Sequence, residues 1–109
     1  MNLHPETSAI SAGRPDSAPD ASVNPPLFLS STYHAGGPVG YGRYGNQTWS
    51  ALEEAIAELE GGSTLTFSSG MAAISALFSI LPVGAPVVAS HEGYSGTMGL
   101  LNQHHASGR

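Results

Sequence analysis

The chain has 109 residues, a formal net charge of −5 and no Cys, which leaves room for one small domain and excludes a disulfide framework or a thiolate metal site. Its three cations are all Arg, against eight acidic residues, so the clustered positive charge that nucleic acid or an anionic membrane surface needs is missing. No apolar run reaches the length of a membrane span and no basic stretch followed by an apolar one marks a signal peptide, so the cytoplasm is the expected compartment.

Lys is absent altogether. A GC-rich genome, which favours Arg, Ala, Gly and Pro over Lys, accounts for that without any functional cause. The chemical consequence holds in either case: no side-chain amine is available for imine chemistry.

Taken in chain order, residues 1 to about 40 show little helical or strand periodicity, and Pro5, Pro15, Pro19, Pro25, Pro26 and Pro38 interrupt them. Leu27-Phe28-Leu29 and Tyr33 lie inside this stretch, more apolar surface than a solvated linker requires, so an extended arm resting on another surface is expected. Ser50 to Glu60 is the first predicted helix. Ser50 with Glu53 matches a capping box, Leu52, Ile56 and Leu59 fall on one face, and Gly61-Gly62 supplies the left-handed terminus. Thr64 to Phe67 reads as a short strand and Ser68-Ser69-Gly70 as a turn. Met71 to Leu81, apolar or small all round, reads as a helix buried between layers. Pro86 to Ala89 reads as a second buried strand, Ser90 to Tyr94 as a loop, and about Ser95 to Gln103 as a third helix. This alternation predicts an α/β fold with a parallel sheet, and two strands are too few to complete one.

Four constellations bear on chemistry. In Phe67-Ser68-Ser69-Gly70-Met71-Ala72-Ala73 a strand turns sharply into a helix, aiming backbone N–H groups at a possible anion; a plain N-cap at Ser68 or Ser69 explains the same residues. Gly40-Tyr41-Gly42-Arg43-Tyr44-Gly45 satisfies G-x-G-x-x-G but lacks a preceding strand and a helix at the right distance, which excludes a dinucleotide fingerprint. Tyr41 and Arg43, two apart in extended backbone, would point the same way and grip one phosphate, or Arg43 is simply a solvated loop cation. Tyr94, beyond the carboxyl end of the second predicted strand, sits where a ring stacks on a planar ligand or packs between loop and helix. His104 and His105 are adjacent and point apart, and His4, His34 and His91 are scattered, so no metal site is expected.

The order and spacing of these pieces are distinctive. Tyr41-Gly42-Arg43-Tyr44-Gly45-Asn46-Gln47-Thr48-Trp49, then Leu52-Glu53, Leu59-Glu60-Gly61-Gly62, Ser69-Gly70-Met71-Ala72-Ala73 and Tyr94-Ser95-Gly96-Thr97, resemble the Cys/Met-metabolism family of pyridoxal-phosphate enzymes. That family includes cystathionine γ-synthase, cystathionine γ-lyase, methionine γ-lyase and O-acetylhomoserine sulfhydrylase. The resemblance runs from about Asn24 to Leu101. It implies the start of the parallel-sheet large domain of a fold-type I, aspartate aminotransferase-like enzyme, with 1–48 as an extended N-terminal arm contacting a neighbouring subunit and 49–109 as an incomplete cofactor-binding α/β domain.

By the same resemblance Ser69, Gly70 and Met71 would hold the phosphate of pyridoxal 5′-phosphate, Tyr94 would stack on its pyridine ring, and Tyr41 and Arg43 would reach across a subunit interface to the neighbouring site. The implied assembly is a dimer or tetramer, and the implied substrates are sulfur-containing or homoserine-derived amino acids. Gln47 departs from the family, which usually has Pro there; a modest effect on the arm is expected. The larger departure is chemical. The Lys that carries the cofactor is absent, and the Asp residues, Asp16 and Asp20, lie in the arm, so no catalytic residue is expected in this chain. Two functional readings follow: the N-terminal portion of a transsulfuration enzyme, or an inactive truncated product or phosphate-binding module.

Overall fold

A computed structural model describes residues 4–109 of the chain. It contains four helices, α1 Pro5–Ser11, α2 Gln47–Glu60, α3 Gly70–Ser79 and α4 Ser95–Ala106. They are distributed over two compact units, one ending at Thr66 and one running from Phe67 to Arg109.

In the first unit, α1 corrects the expectation of a segment without helix before residue 40. Pro5 occupies the opening of α1, where its missing N–H is not needed and its fixed φ suits the helix, and Glu6 adds a favourable charge in the first turn. A helix this short is marginal alone; it persists by packing against α2. Gly13, at φ +70°, makes the close approach: a Cβ there would lie 2.2 Å from the Ala51 carbonyl oxygen of α2.

Helix α2 begins three residues before the predicted start, and the Ser50–Glu53 capping box does not form. Asn46 is the N-cap instead, its side chain accepting from the Thr48 N–H at 2.8 Å, while the Ser50 N–H is already in the helical ladder to the Asn46 carbonyl. Gln47 is the first helical residue, the position that best tolerates Pro, so Gln there leaves the helix start intact. The helix ends as predicted at Gly61, φ 72°, with Gly61 and Gly62 both donating to the Ala57 carbonyl. Freed from capping, the Glu53 carboxylate accepts from the Thr66 N–H at 2.8 Å and the Thr66 hydroxyl at 2.9 Å, tying the segment after α2 back onto it. Glu53→Ala is therefore expected to cost about 1.5–3 kcal/mol, the range for charge-assisted hydrogen bonds, and to speed amide exchange at Thr66 selectively; exchange measured residue by residue checks it.

Neither predicted strand forms a ladder. Thr64–Phe67 and Pro86–Ala89 are irregular, and the β pairing among the described residues is one antiparallel bridge between Thr32 and Tyr41. β-branched composition favours extended backbone, but a strand exists only through a neighbour, and these segments have none among the described residues.

In the second unit α3 is capped by Ser69, whose Oγ accepts from the Ala72 N–H at 3.1 Å. α4 runs three residues past its predicted end, with His104 and His105 in its last turn. α3 and α4 pack together, which covers one side of α3. Leu77 remains exposed, correcting the expectation of burial all round. No apolar side chain is fully buried among the described residues, and Val88 is 100% exposed. No helix among them is long and apolar enough to cross a membrane.

Candidate functional site

The start of α3 offers two free donors. The first N–H groups of any helix lack intrahelical acceptors. Here Ser69 Oγ takes the Ala72 N–H and the Ser69 carbonyl takes that of Ala73, while the N–H groups of Gly70 and Met71 meet no acceptor among the described residues. The space beside Gly70 is open, with nothing within 4 Å of a Cβ placed there. Two unpaired N–H groups at the positive end of a ten-residue helix, unobstructed and flanked by two Ser hydroxyls, suit an anion such as a phosphate monoester.

Tyr94 lies at the same end of this unit. It is the residue before α4, and its side chain makes no capping bond. Its ring, 65% exposed, leans on Gly96 in the first turn of α4, where the Met71 thioether also rests. The structure thus gathers Ser69, Gly70, Met71 and Tyr94 into one neighbourhood. A groove of about 600 Å³ in this unit lies elsewhere, lined by Phe78, Leu81, Pro86, Val87, Leu101 and His104 among others, and holds none of the predicted site residues.

Tyr41 and Arg43 belong to the first unit, on a turn closed by the Tyr44 N–H to the Tyr41 carbonyl at 2.9 Å, which corrects the expected extended backbone. The Arg43 guanidinium carbon lies 5.2 Å from the Tyr41 ring centroid, and Nη2 donates to the Tyr41 hydroxyl at 3.4 Å. Tyr44 meets Tyr41 edge-on with centroids 6.1 Å apart. Arg43 is therefore held on an aromatic mount, which restrains a long side chain before any ligand arrives.

Three residues that position this turn are absent from the sequence-based site. Gly42 donates to the Ser31 carbonyl at 2.7 Å, and a Cβ on it would meet Ser31 and Ser30 backbone atoms at 3.0–3.2 Å. Asn46, 7% exposed, donates through Nδ2 to the Phe28 carbonyl at 2.9 Å while capping α2, and Thr48 Oγ1 accepts from the Phe28 N–H at 2.8 Å. Asn46-x-Thr48 thus clamps the segment around Phe28 to the start of α2. The capping preference of Asn and Thr was the available signal.

The family model for Cys/Met metabolism PLP-dependent enzymes matches residues 6–108. The chain belongs to that family. It is 44% identical over 108 residues to the cystathionine γ-synthase of Mycobacterium tuberculosis, covering 91% of this chain and 28% of that protein. It is 36% identical over 104 residues to the cystathionine β-lyase of Lactococcus lactis, covering 90% of this chain and 27% of the relative. Among solved structures, a cystathionine γ-lyase from Micromonospora echinospora superposes with a TM-score of 0.87 at 35% identity, covering 97% of this chain and 29% of that one. The chain therefore shares the backbone of fold-type I PLP-dependent lyases over 97% of its residues, and it spans between a quarter and a third of the length of these relatives.

Proposed function

We propose that this chain is the phosphate-side, N-terminal portion of a PLP-dependent transsulfuration enzyme that acts on sulfur-containing or homoserine-derived amino acids by γ-elimination or γ-replacement. The observation that carries the proposal is the pair of unpaired N–H groups at Gly70 and Met71, inside the segment matched by a pyridoxal-phosphate family. Pyridoxal 5′-phosphate, when bound, supplies an electron sink for the carbons of an attached amino acid.

In this reading Gly70 and Met71 donate to the phosphate, with Ser69 fixing the helix start. Tyr94 lies on the pyridine ring. Residues 1–48 act as an arm against a neighbouring subunit, where Tyr41 and Arg43 contribute to that subunit's phosphate site, so the working form is a homo-oligomer in the cytoplasm. Residues 49–109 belong to the cofactor-binding α/β domain, and Thr64–Phe67 and Pro86–Ala89 become strands of its parallel sheet when neighbouring strands flank them. The chain has no Lys; the proton-transferring amine must come from sequence other than these residues, and the chain alone is inactive.

A graft tests this directly: residues 6–108 replace the matching segment of the M. tuberculosis cystathionine γ-synthase. The expected product retains the visible absorbance of bound cofactor and forms cystathionine within about tenfold of the parent rate, the scale of an imperfectly matched but correctly oriented site. A folded, oligomeric graft that cannot hold the cofactor would contradict the proposal.

A further inference from the structure

Gly96 sits in the first turn of α4 with a φ outside the left-handed range, so its backbone conformation does not call for glycine, and helix propensity favours Ala at such a position. What calls for it is space. A Cβ on Gly96 would lie 2.7 Å from Met71 Sδ, 2.7 Å from Tyr94 Cε1 and 3.2 Å from Tyr94 Cζ, all inside the normal 3.5–4.0 Å separation of carbon atoms. Gly99, one turn on in the same helix, has nothing within 4 Å of its Cβ position, so crowding is specific to Gly96.

We infer that Gly96 is a positioning residue: its missing side chain is the seat on which the Tyr94 ring and the Met71 thioether meet, and it sets how the ring lies beside the free N–H groups of Gly70 and Met71. All three crowding atoms are on side chains, and the Tyr94 ring is mostly exposed. A methyl at position 96 therefore displaces the ring rather than the backbone. Met71 Sδ and Tyr94 Cε1 each lie 2.7 Å from that one point, so thioether and ring edge are no more than about 5.4 Å apart, near the separation at which sulfur and an aromatic ring attract. The inference rests on the cofactor reading only for the identity of the ligand; the seat is a property of the chain.

The test is NMR on the 109-residue chain. The parent is expected to show cross-peaks from the Tyr94 ring to both Gly96 Hα and the Met71 methyl. Gly96→Ala is expected to lose the Met71–Tyr94 cross-peak and to weaken pyridoxal 5′-phosphate binding about three- to tenfold, the loss of one aromatic stack, with inorganic phosphate binding unchanged within about twofold. Gly99→Ala is expected to change neither. If Gly96→Ala lowers helicity in α4, adding Tyr94→Ala restores it, and no restoration overturns the inference. Retention of the Met71–Tyr94 cross-peak in Gly96→Ala also overturns it. Loss of the cross-peak with no response of Gly70 and Met71 amides to pyridoxal phosphate in any variant supports the seat and refutes the cofactor reading instead.

Discussion

Replacing Asn46 by Ala is expected to destabilise the first unit by about 2–4 kcal/mol, combining a lost N-cap with a carbonyl left unsatisfied. The side chain is buried and serves both ends of the clamp: Oδ1 accepts from Thr48 and Nδ2 donates to Phe28. Native domains have only about 5–15 kcal/mol in hand, and this unit lacks buried apolar side chains among the described residues, so the loss is large in proportion. Asn46→Asp separates the two roles. It keeps the cap acceptor but cannot donate to the Phe28 carbonyl, so it is expected to preserve α2 while releasing the segment around Phe28. Urea unfolding with residue-resolved exchange at Phe28 and Thr48 checks both variants. Equal stability of Asn46→Ala and parent would show that the clamp contributes nothing.

Arg43→Ala, placed in the cystathionine γ-synthase graft, is expected to weaken cofactor binding about 10- to 100-fold, the worth of a charge-assisted bond to phosphate. Arg43→Lys keeps the charge but loses the planar fork and the stack on Tyr41, and is expected to fall in between. Tyr41→Phe keeps the aromatic mount and removes only the hydroxyl contacted by Nη2, so its effect is expected to be a few-fold. If Arg43 serves the neighbouring subunit, co-assembly of an Arg43→Ala graft with a graft lacking the cofactor-carrying Lys produces oligomers with some intact sites, and activity reappears on mixing. Cofactor titration of each variant and activity of the mixed oligomer are the measurements.

The centres of α2, α3 and α4 were legible because their signals are local: apolar periodicity in α2, an unbroken apolar or small run in α3, glycine at the end of α2. The start of α2 was not. Ser50 and Glu53 fit a capping box by spacing, whereas Asn46 wins through a partner, Phe28, that is distant in sequence. α1 was hidden among Pro residues because Pro reads as a breaker everywhere except at a helix's first turn, where Pro5 stands. The strands show the opposite limit. Thr64–Phe67 has strand composition, but a ladder depends on neighbours that composition does not reveal.

The site divides the same way. Ser69-Gly70-Met71 was readable because a cap and a glycine before an apolar helix announce free N–H groups. Arg43 resting on Tyr41 was not: their spacing suggested extended backbone, whereas residues 42–44 form a turn that folds the guanidinium onto the ring. Gly42 and Gly96 were not, since each is required by what lies across from it, the Ser30–Ser31 backbone in one case and Met71 with Tyr94 in the other.

The start of α3 is the proposed seat of the phosphate, and amide chemical shifts report its occupancy directly. Titrating the 109-residue chain with pyridoxal 5′-phosphate and with inorganic phosphate is expected to move the Gly70 and Met71 amides first and furthest, with the Tyr94 ring responding only to the pyridoxal compound. Pyridoxal without its phosphate is expected to leave both amides in place. Shifts at Gly70 and Met71 that are no larger than those along the rest of the chain, or equal shifts from pyridoxal alone, would contradict the proposed seat.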